Sequence, residues 1–153
     1  MSTQPTPTPQ IRQGTATDVP ALHRLIHELA VYERAADLVA VTEEQRLAHF
    51  FDGQFQFLVA EREETILGIA LFFYRYSTWR GPLLYLEDLI VTETARGHAI
   101  GKALFEATIE AARSHGAVGM VWQVLEWNEP AIRFYERYGA EFSREWVECM
   151  LRF

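Results

Sequence analysis

Three groups of residues in this chain have the make-up of a working site. The first is VTETARGHAIGK (Val91–Lys102), where an arginine, two glycines and a lysine surround the point at which an apolar run gives way to a helical pattern. A helix N-terminus presents unpaired N–H groups and a partial positive charge, so it attracts anions. Gly97 and Gly101 let a ligand approach the backbone, and Arg96 can fork onto a phosphate. A diphosphate suits this turn; a glycine-softened helix start with a solvated arginine is the plain alternative. Neither G-x-x-x-x-G-K-[ST] nor G-x-G-x-x-G is present here. The second group is Glu87 and Asp88, set in the middle of the apolar stretch LLYLEDLIV. Carboxylates are costly to bury without partners. Strict strand alternation sends the two to opposite faces, so at most one easily faces a given cleft. The third group follows Asn128, a natural helix cap, and contains Phe134, Tyr135 and Tyr138.

The elements that must hold these groups are readable from periodicity. Ile11–Gly14 reads as a short strand. Thr17 then caps a helix with Pro20 in its first turn and Leu22, Leu25, Ile26 and Leu29 along its apolar side. A second helix starts at Thr42, with Gln45 completing a capping box. Strands are expected over Gln56–Glu61, Ile66–Tyr76 and Leu83–Val91, with a hairpin turn at Arg62–Thr65. A helix over Ile100–His115 ends at Gly116; a buried strand follows over Val118–Leu125, and a short helix with Pro130 in its first turn stops before Gly139. Phe142–Phe153 should supply one or two closing strands. The order predicts an α/β protein with a mixed, mostly antiparallel sheet of six to seven strands and about four helices. Ligand chemistry is expected at the C-terminal ends of the strands that cross into helices.

Composition narrows the partners. The chain has 153 residues, enough for one domain, and a formal net charge of -7. That balance argues against nucleic acid and in favour of a cationic small molecule. Residues 1–10, rich in threonine and proline, read as a disordered tail without the features of a signal peptide, leaving 11–153 as the single folded domain. No apolar run is long enough for a bilayer, so no membrane role is expected. The one cysteine, Cys149, excludes an intramolecular disulfide, fits a reducing, cytoplasmic setting, and is expected to be a small buried hydrophobe. His23 and His27 have the i, i+4 spacing of zinc sites. Arg24 stands where H-E-x-x-H needs glutamate and no third ligand is evident, so they read as a polar helix face and no metal is expected. Trp79, Trp122, Trp127 and Trp146 are assigned to packing or dimer contact.

The turn resembles R-x-x-G-x-[GA], the pyrophosphate loop of the GNAT acetyltransferase superfamily. Arg96 and Gly101 match, and Ala99 stands where glycine is usual. Together with LLYLEDLIV (Leu83–Val91), EWNEPAIRFYERYGA (Glu126–Ala140) and a first helix ending LAVYE (Leu29–Glu33), the chain is similar to the spermidine/spermine and thialysine N-acetyltransferase branch over roughly residues 11–147.

The resemblance implies a GNAT fold, acetyl-CoA as co-substrate, direct acetyl transfer to a primary amine of a small polyamine or lysine-like diamine, and a homodimer. It implies cofactor contacts from Leu89, Ile90 and Val91 to the pantetheine arm, from Arg96, Gly97, His98, Ala99, Ile100, Gly101 and Lys102 to the diphosphate, and from Asn128, Pro130 and Ala131 to coenzyme A. An ammonium with a pKa of about 10.4 must lose a proton before it attacks a thioester. The resemblance makes Glu87 the amine-binding residue and possible base, and Tyr135 the proton donor to the leaving thiolate. Tyr32, Glu33, Glu87 and Asp88 would face the acceptor. Each has a plainer alternative: an aromatic core residue for Tyr135, a hydrogen-bonded strand acid for Glu87, a solvated helix end for Tyr32 and Glu33. An acceptor that is an amino acid, antibiotic or protein N-terminus, and an inactive acyl-CoA-binding module, are the rival functions.

Overall fold

The computed structural model describes residues 4–97 and 99–153. The chain forms two compact units, one extending to Trp122 and the other beginning at Gln123. In the first, β1 (Gln10–Gln13), β2 (Gln56–Arg62), β3 (Thr65–Ser77) and β4 (Gly81–Val91) form an antiparallel meander, and β5 (Met120–Val121) joins β4 in parallel. Helices α1 (Val19–Tyr32) and α2 (Glu43–Phe51) lie between β1 and β2 in sequence, and α3 (Ile100–His115) links β4 to β5. The second unit contains α4 (Glu129–Glu136).

Two faces of the sheet carry two apolar layers. Val19, Leu22 and Leu25 of α1 pack with Phe57, Val59, Ile69, Leu71 and Ile90. On the other face α3 approaches β3 at Gly68. A methyl group there would sit 2.8 Å from the Ile90 carbonyl oxygen and 2.9 Å from Leu104 Cδ1, so only glycine allows the helix this close. Farther along, Tyr74 donates to the Ala111 carbonyl at 3.3 Å and stacks on His115. α3, which follows the glycine-rich turn, is therefore pinned along its length.

Three local expectations need correction. The helix α1 begins at Val19, and its entry is organised by Thr15 and Asp18 rather than by a Thr17 cap: the Thr15 N–H donates to Asp18 Oδ2 at 2.8 Å. Five strands are present among the described residues, not six to seven. The strand expected over Val118–Leu125 shrinks to Met120–Val121, and no strand forms over 142–153. Apolar, β-branched and aromatic composition marks a segment that suits a sheet, but a strand exists only where a neighbouring edge accepts its hydrogen bonds. Cys149 is exposed, not buried, because it lies in this irregular segment.

Asp18 also anchors the first strand. Arg12 forks onto its two carboxylate oxygens at 2.8 and 3.0 Å and reaches Glu61 Oε2 at 2.8 Å through Nε. The Arg12 guanidinium holds the Asp18 carboxyl at about 2 against an ordinary 3.8. A depressed carboxylate contributes stability above its unfolded pKa and loses it as pH falls through the folded value. Asp18→Asn should therefore cost about 2 kcal/mol at neutral pH, allowing for the partial exposure of Arg12. In urea unfolding, the gap between variant and parent should close between about pH 4 and pH 2.

Candidate functional site

The glycine-rich turn Arg96–Gly101 is built from the end of β4 outward. A short 3-10 turn, Glu93–Ala95, follows β4, and its position is set from α1: Glu28 accepts from the Thr92 hydroxyl at 3.0 Å and from the Glu93 N–H at 2.7 Å. Nothing in the sequence marks Glu28 for this role, since its partners lie more than sixty positions away. Arg96 donates through Nε to the Val91 carbonyl at 3.1 Å, and its guanidinium carbon lies 5.3 Å from the centre of the Tyr32 ring. The guanidinium is thereby steadied at its base, a few residues before α3 begins. Gly97 takes φ +85°, and Ala99, at the N-cap of α3, takes φ 58° and ψ 19°. His98 lies outside the described residues. The N–H groups of Ile100, Gly101 and Lys102 open the helix. The Ile100 side chain is buried in the core, so only its main chain can serve a ligand. Lys102 lies near Glu106 at 3.9 Å on the exposed side of α3.

Offering the Ala99 N–H with a negative φ, the geometry alanine prefers, is not what the turn does; alanine here occupies the left-handed region that favours glycine. Ala99→Gly should therefore stabilise the fold by about 0.5–1 kcal/mol and raise Tm by roughly 2 °C, while leaving diphosphate binding equal or slightly tighter. Calorimetry and thermal unfolding check both. The residues present fit a pyrophosphate: a 16-residue helix aims its N-terminus at the turn, an arginine fork stands beside it, and no carboxylate forms part of Arg96–Gly101.

Beside this turn, β4 has an open edge. β5 pairs with it only at Leu84 and Tyr85. From Leu86 to Val91 the β4 edge away from β3 has no strand partner among the described residues, so main-chain groups at Leu89, Ile90 and Val91 can serve an extended arm.

The carboxylate pair departs most from expectation. Across the β3–β4 ladder, Ile90 pairs with Ile69 and Asp88 with Leu71, but Leu86 pairs with Phe72. Glu87 is the extra residue of a β-bulge. Residues paired across a ladder share a face. Ile90 and Asp88 therefore lie on the face that carries Ile69 and Leu71, under α1. Tyr85, opposite Phe73, is on that face too, and alternation from Tyr85 brings Glu87 to it as well. The bulge thus overturns the expected opposite orientation and sets both carboxylates toward α1 and α2. Glu87 is exposed and Asp88 half-buried. Burial, and then the charges of Glu87 and Glu33, push the Asp88 pKa up to about 7, with Arg46 of α2 pulling the other way. Burial likewise raises the Glu33 pKa. The C-terminal end of α1 thus divides its labour: Tyr32 goes to Arg96, and Glu33 joins the carboxylates. Arg46 was not singled out from sequence; it also donates through Nε to His23 Nδ1 at 3.2 Å, and its approach, after burial, keeps His23 below its ordinary pKa. His23 and His27 meet edge to face at 4.8 Å, and no cluster of three His, Cys, Asp or Glu side chains capable of holding a metal occurs among the described residues.

In the second unit, Asn128 caps α4 as expected, accepting from the Ala131 N–H at 3.4 Å, and Pro130 lies in the first turn. Tyr135 is buried, its ring centred 5.4 Å from that of Phe134, which also contacts Tyr138 at 5.4 Å.

Residues 20–140 match the acetyltransferase (GNAT) family. The chain is 35% identical to thialysine N-epsilon-acetyltransferase of Bos taurus over 142 residues, covering 86% of this chain and 83% of that protein. It is 30% identical to L-ornithine N5-acetyltransferase NATA1 of Arabidopsis thaliana, covering 93% of this chain and 83% of the relative. Among solved structures, an aminoglycoside acetyltransferase from an uncultured soil metagenomic sample superposes with a TM-score of 0.80 at 22% identity, covering 95% of this chain and 97% of the other, a likeness of fold.

Proposed function

Because the chain belongs to the GNAT family of N-acetyltransferases, whose acetyl donor is acetyl-CoA, we propose that its acceptor is the side-chain amine of a lysine-like diamino acid or a small diamine. The observation that carries this reading is the placement of Glu33, Glu87 and Asp88 on one side of the sheet, with Arg46 the only cation acting on Asp88 among the described residues. Such a group of side chains has more negative charge than positive and recruits a cation. An acceptor with two ammonium groups uses it fully: one nitrogen reacts while the other is held. The names of the thialysine and ornithine relatives point to the same acceptor chemistry.

In the reaction proposed, Arg96 and the N–H groups opening α3 hold the diphosphate, and main-chain groups at Leu89, Ile90 and Val91 hold the pantetheine arm. A carboxylate of the Glu87–Asp88 pair takes one proton from the acceptor ammonium. The freed lone pair attacks the thioester carbonyl carbon, the C–S bond breaks, and Tyr135 protonates the departing sulfur. Of the three ammonium protons, one stays in the amide, one replaces the proton Tyr135 gives to coenzyme A, and one passes to solvent. No acetyl-enzyme forms. Asn128, Pro130 and Ala131 line the coenzyme side in this reading. Homodimer assembly is part of the same proposal, supported by the exposed Trp146, Val147, Met150, Leu151 and Phe153.

The test is a panel with acetyl-CoA, following free thiol: thialysine, lysine, ornithine, a diamine, spermidine, an aminoglycoside and a monoamine of matched length. Losing one charge-assisted contact costs about 1.5–3 kcal/mol, so kcat/KM should be at least about tenfold higher for the diamino compounds than for the monoamine. Equal rates on both would overturn the reading.

A further inference from the structure

We propose that Arg75 binds the α-carboxylate of the acceptor, so that this enzyme selects a diamino acid with a free carboxylate over a diamine of the same chain length. The inference rests on the acetyltransferase reading above and names the acceptor of that site more closely. It starts from the sheet face that carries Glu87 and Asp88. Toward the β3–β4 hairpin, the next pair on that face is Phe73 and Tyr85, whose rings stack with their centres 5.1 Å apart. Alternation along β3 brings Arg75 to the same face, and its guanidinium carbon lies 5.3 Å from the centre of the Tyr85 ring. Both rings are half-buried and stand outside the apolar layer packed on α1. Carboxylates, an aromatic floor and an arginine thus follow one another along a single face. Arg75 itself is exposed and makes no hydrogen bond or ion pair with a described residue. A guanidinium stacked on a ring keeps its N–H edge open to a planar acid, and the stack meets part of the cost of ordering the side chain.

The spacing selects the ligand. Arg75 pairs with Leu83, four residues from Glu87, a separation of about 13 Å along the strand. The guanidinium leans over Tyr85, midway between them, so the gap to be bridged is about 7–13 Å. An extended lysine places its side-chain nitrogen about 7–8 Å from its carboxyl carbon. A charge-assisted hydrogen bond of about 2.8 Å at each end completes the span. With the reacting ammonium at the carboxylates and the α-carboxylate at Arg75, the methylenes between lie on the Phe73–Tyr85 floor. A diamine of the same chain would bring a second ammonium toward Arg75 instead, and like charges repel. The acidic group recruits either compound; Arg75 separates them.

The test compares lysine, lysinamide and 1,5-diaminopentane as acceptors, three compounds with one chain that differ at the carboxylate, in the parent, Arg75→Gln and Arg75→Lys. The parent kcat/KM should be about three- to tenfold higher for lysine than for either carboxylate-free compound, between the effect of an exposed ion pair and that of a bidentate one. Arg75→Gln should bring lysine down to the level of lysinamide and raise the rate on diaminopentane, because the repelling charge is gone. Arg75→Lys should keep part of the preference. An arginine that only shields Tyr85 would move all three compounds together. No preference for lysine in the parent, or a preference unchanged in Arg75→Gln, overturns the assignment and leaves the acceptor reading standing. If a monoamine of matched length is acetylated as well as these compounds, the acceptor reading falls by itself. Arg75 is then judged by calorimetry of lysine and lysinamide on the coenzyme A complex: a preference for lysine that is lost in Arg75→Gln upholds the carboxylate contact, and equal affinities overturn it.

Discussion

Tyr135→Phe is expected to lower kcat by about 10²–10⁴-fold while acetyl-CoA affinity and folding change little. The magnitude is that of positioned acid catalysis. A phenol with a pKa of about 10 can protonate a thiolate whose conjugate acid has a pKa of about 8.5 only as the C–S bond breaks, so its placement matters more than its acidity. The local frame of the residue is firm. Tyr135 lies on a helix begun by the Asn128 cap, and its carbonyl accepts from the N–H groups of Tyr138 at 3.0 Å and Ala140 at 3.3 Å. Phenylalanine keeps the ring and its contact with Phe134, so the variant isolates the hydroxyl. Tyr138→Phe is the control and should be nearly silent. Both variants should be followed from about pH 6 to about pH 10, with coenzyme affinity measured alongside. Parent-like turnover of Tyr135→Phe at every pH would give the proton to another group or to water. Loss of affinity in proportion to rate would make Tyr135 a binding residue.

Arg96→Ala should weaken acetyl-CoA binding by about 1.5–3 kcal/mol, roughly ten- to a hundredfold, the scale of a charge-assisted hydrogen bond. Two contacts already hold the guanidinium in the free protein, the Val91 carbonyl at its Nε and the Tyr32 ring beneath it, so part of its ordering cost is met before the coenzyme arrives. Arg96→Lys should recover only part of the loss, because a point charge cannot reproduce the fork. Titration calorimetry at two salt concentrations measures it, and the parent should be the more salt-sensitive of the two. Unchanged affinity in Arg96→Ala would show that the helix N-terminus binds the diphosphate without it.

Much of this protein could be read from the chain alone, and those parts share a cause: they are short-range. The boundaries of α3 at Ile100 and His115, the Thr42–Gln45 capping box and the Asn128 cap all follow from residues within a turn of one another. The cationic turn at Arg96–Lys102 is equally local, and so is the identity of the acids in β4. Tertiary structure decided which way those acids face. A bulge depends on how many residues the neighbouring strand offers, so the pairing of Asp88 with Leu71 and of Leu86 with Phe72 cannot be inferred from LLYLEDLIV. Glu28 and Arg46 look like ordinary helix-surface residues until folding brings Glu28 to Thr92 and Arg46 to Asp88. The left-handed backbone at Ala99 reflects the exit from β4 and the fixed seat of α3 more than any preference of alanine. The strand count failed for the same reason, since the apolar residues of 142–153 state a propensity, and a strand also needs an edge to join. Sequence thus determined which groups are available and the local frames that carry them. Folding decided which distant charges meet, and with them the ionisation of Asp88, because a pKa is set by burial and by neighbours that the chain brings together only in three dimensions.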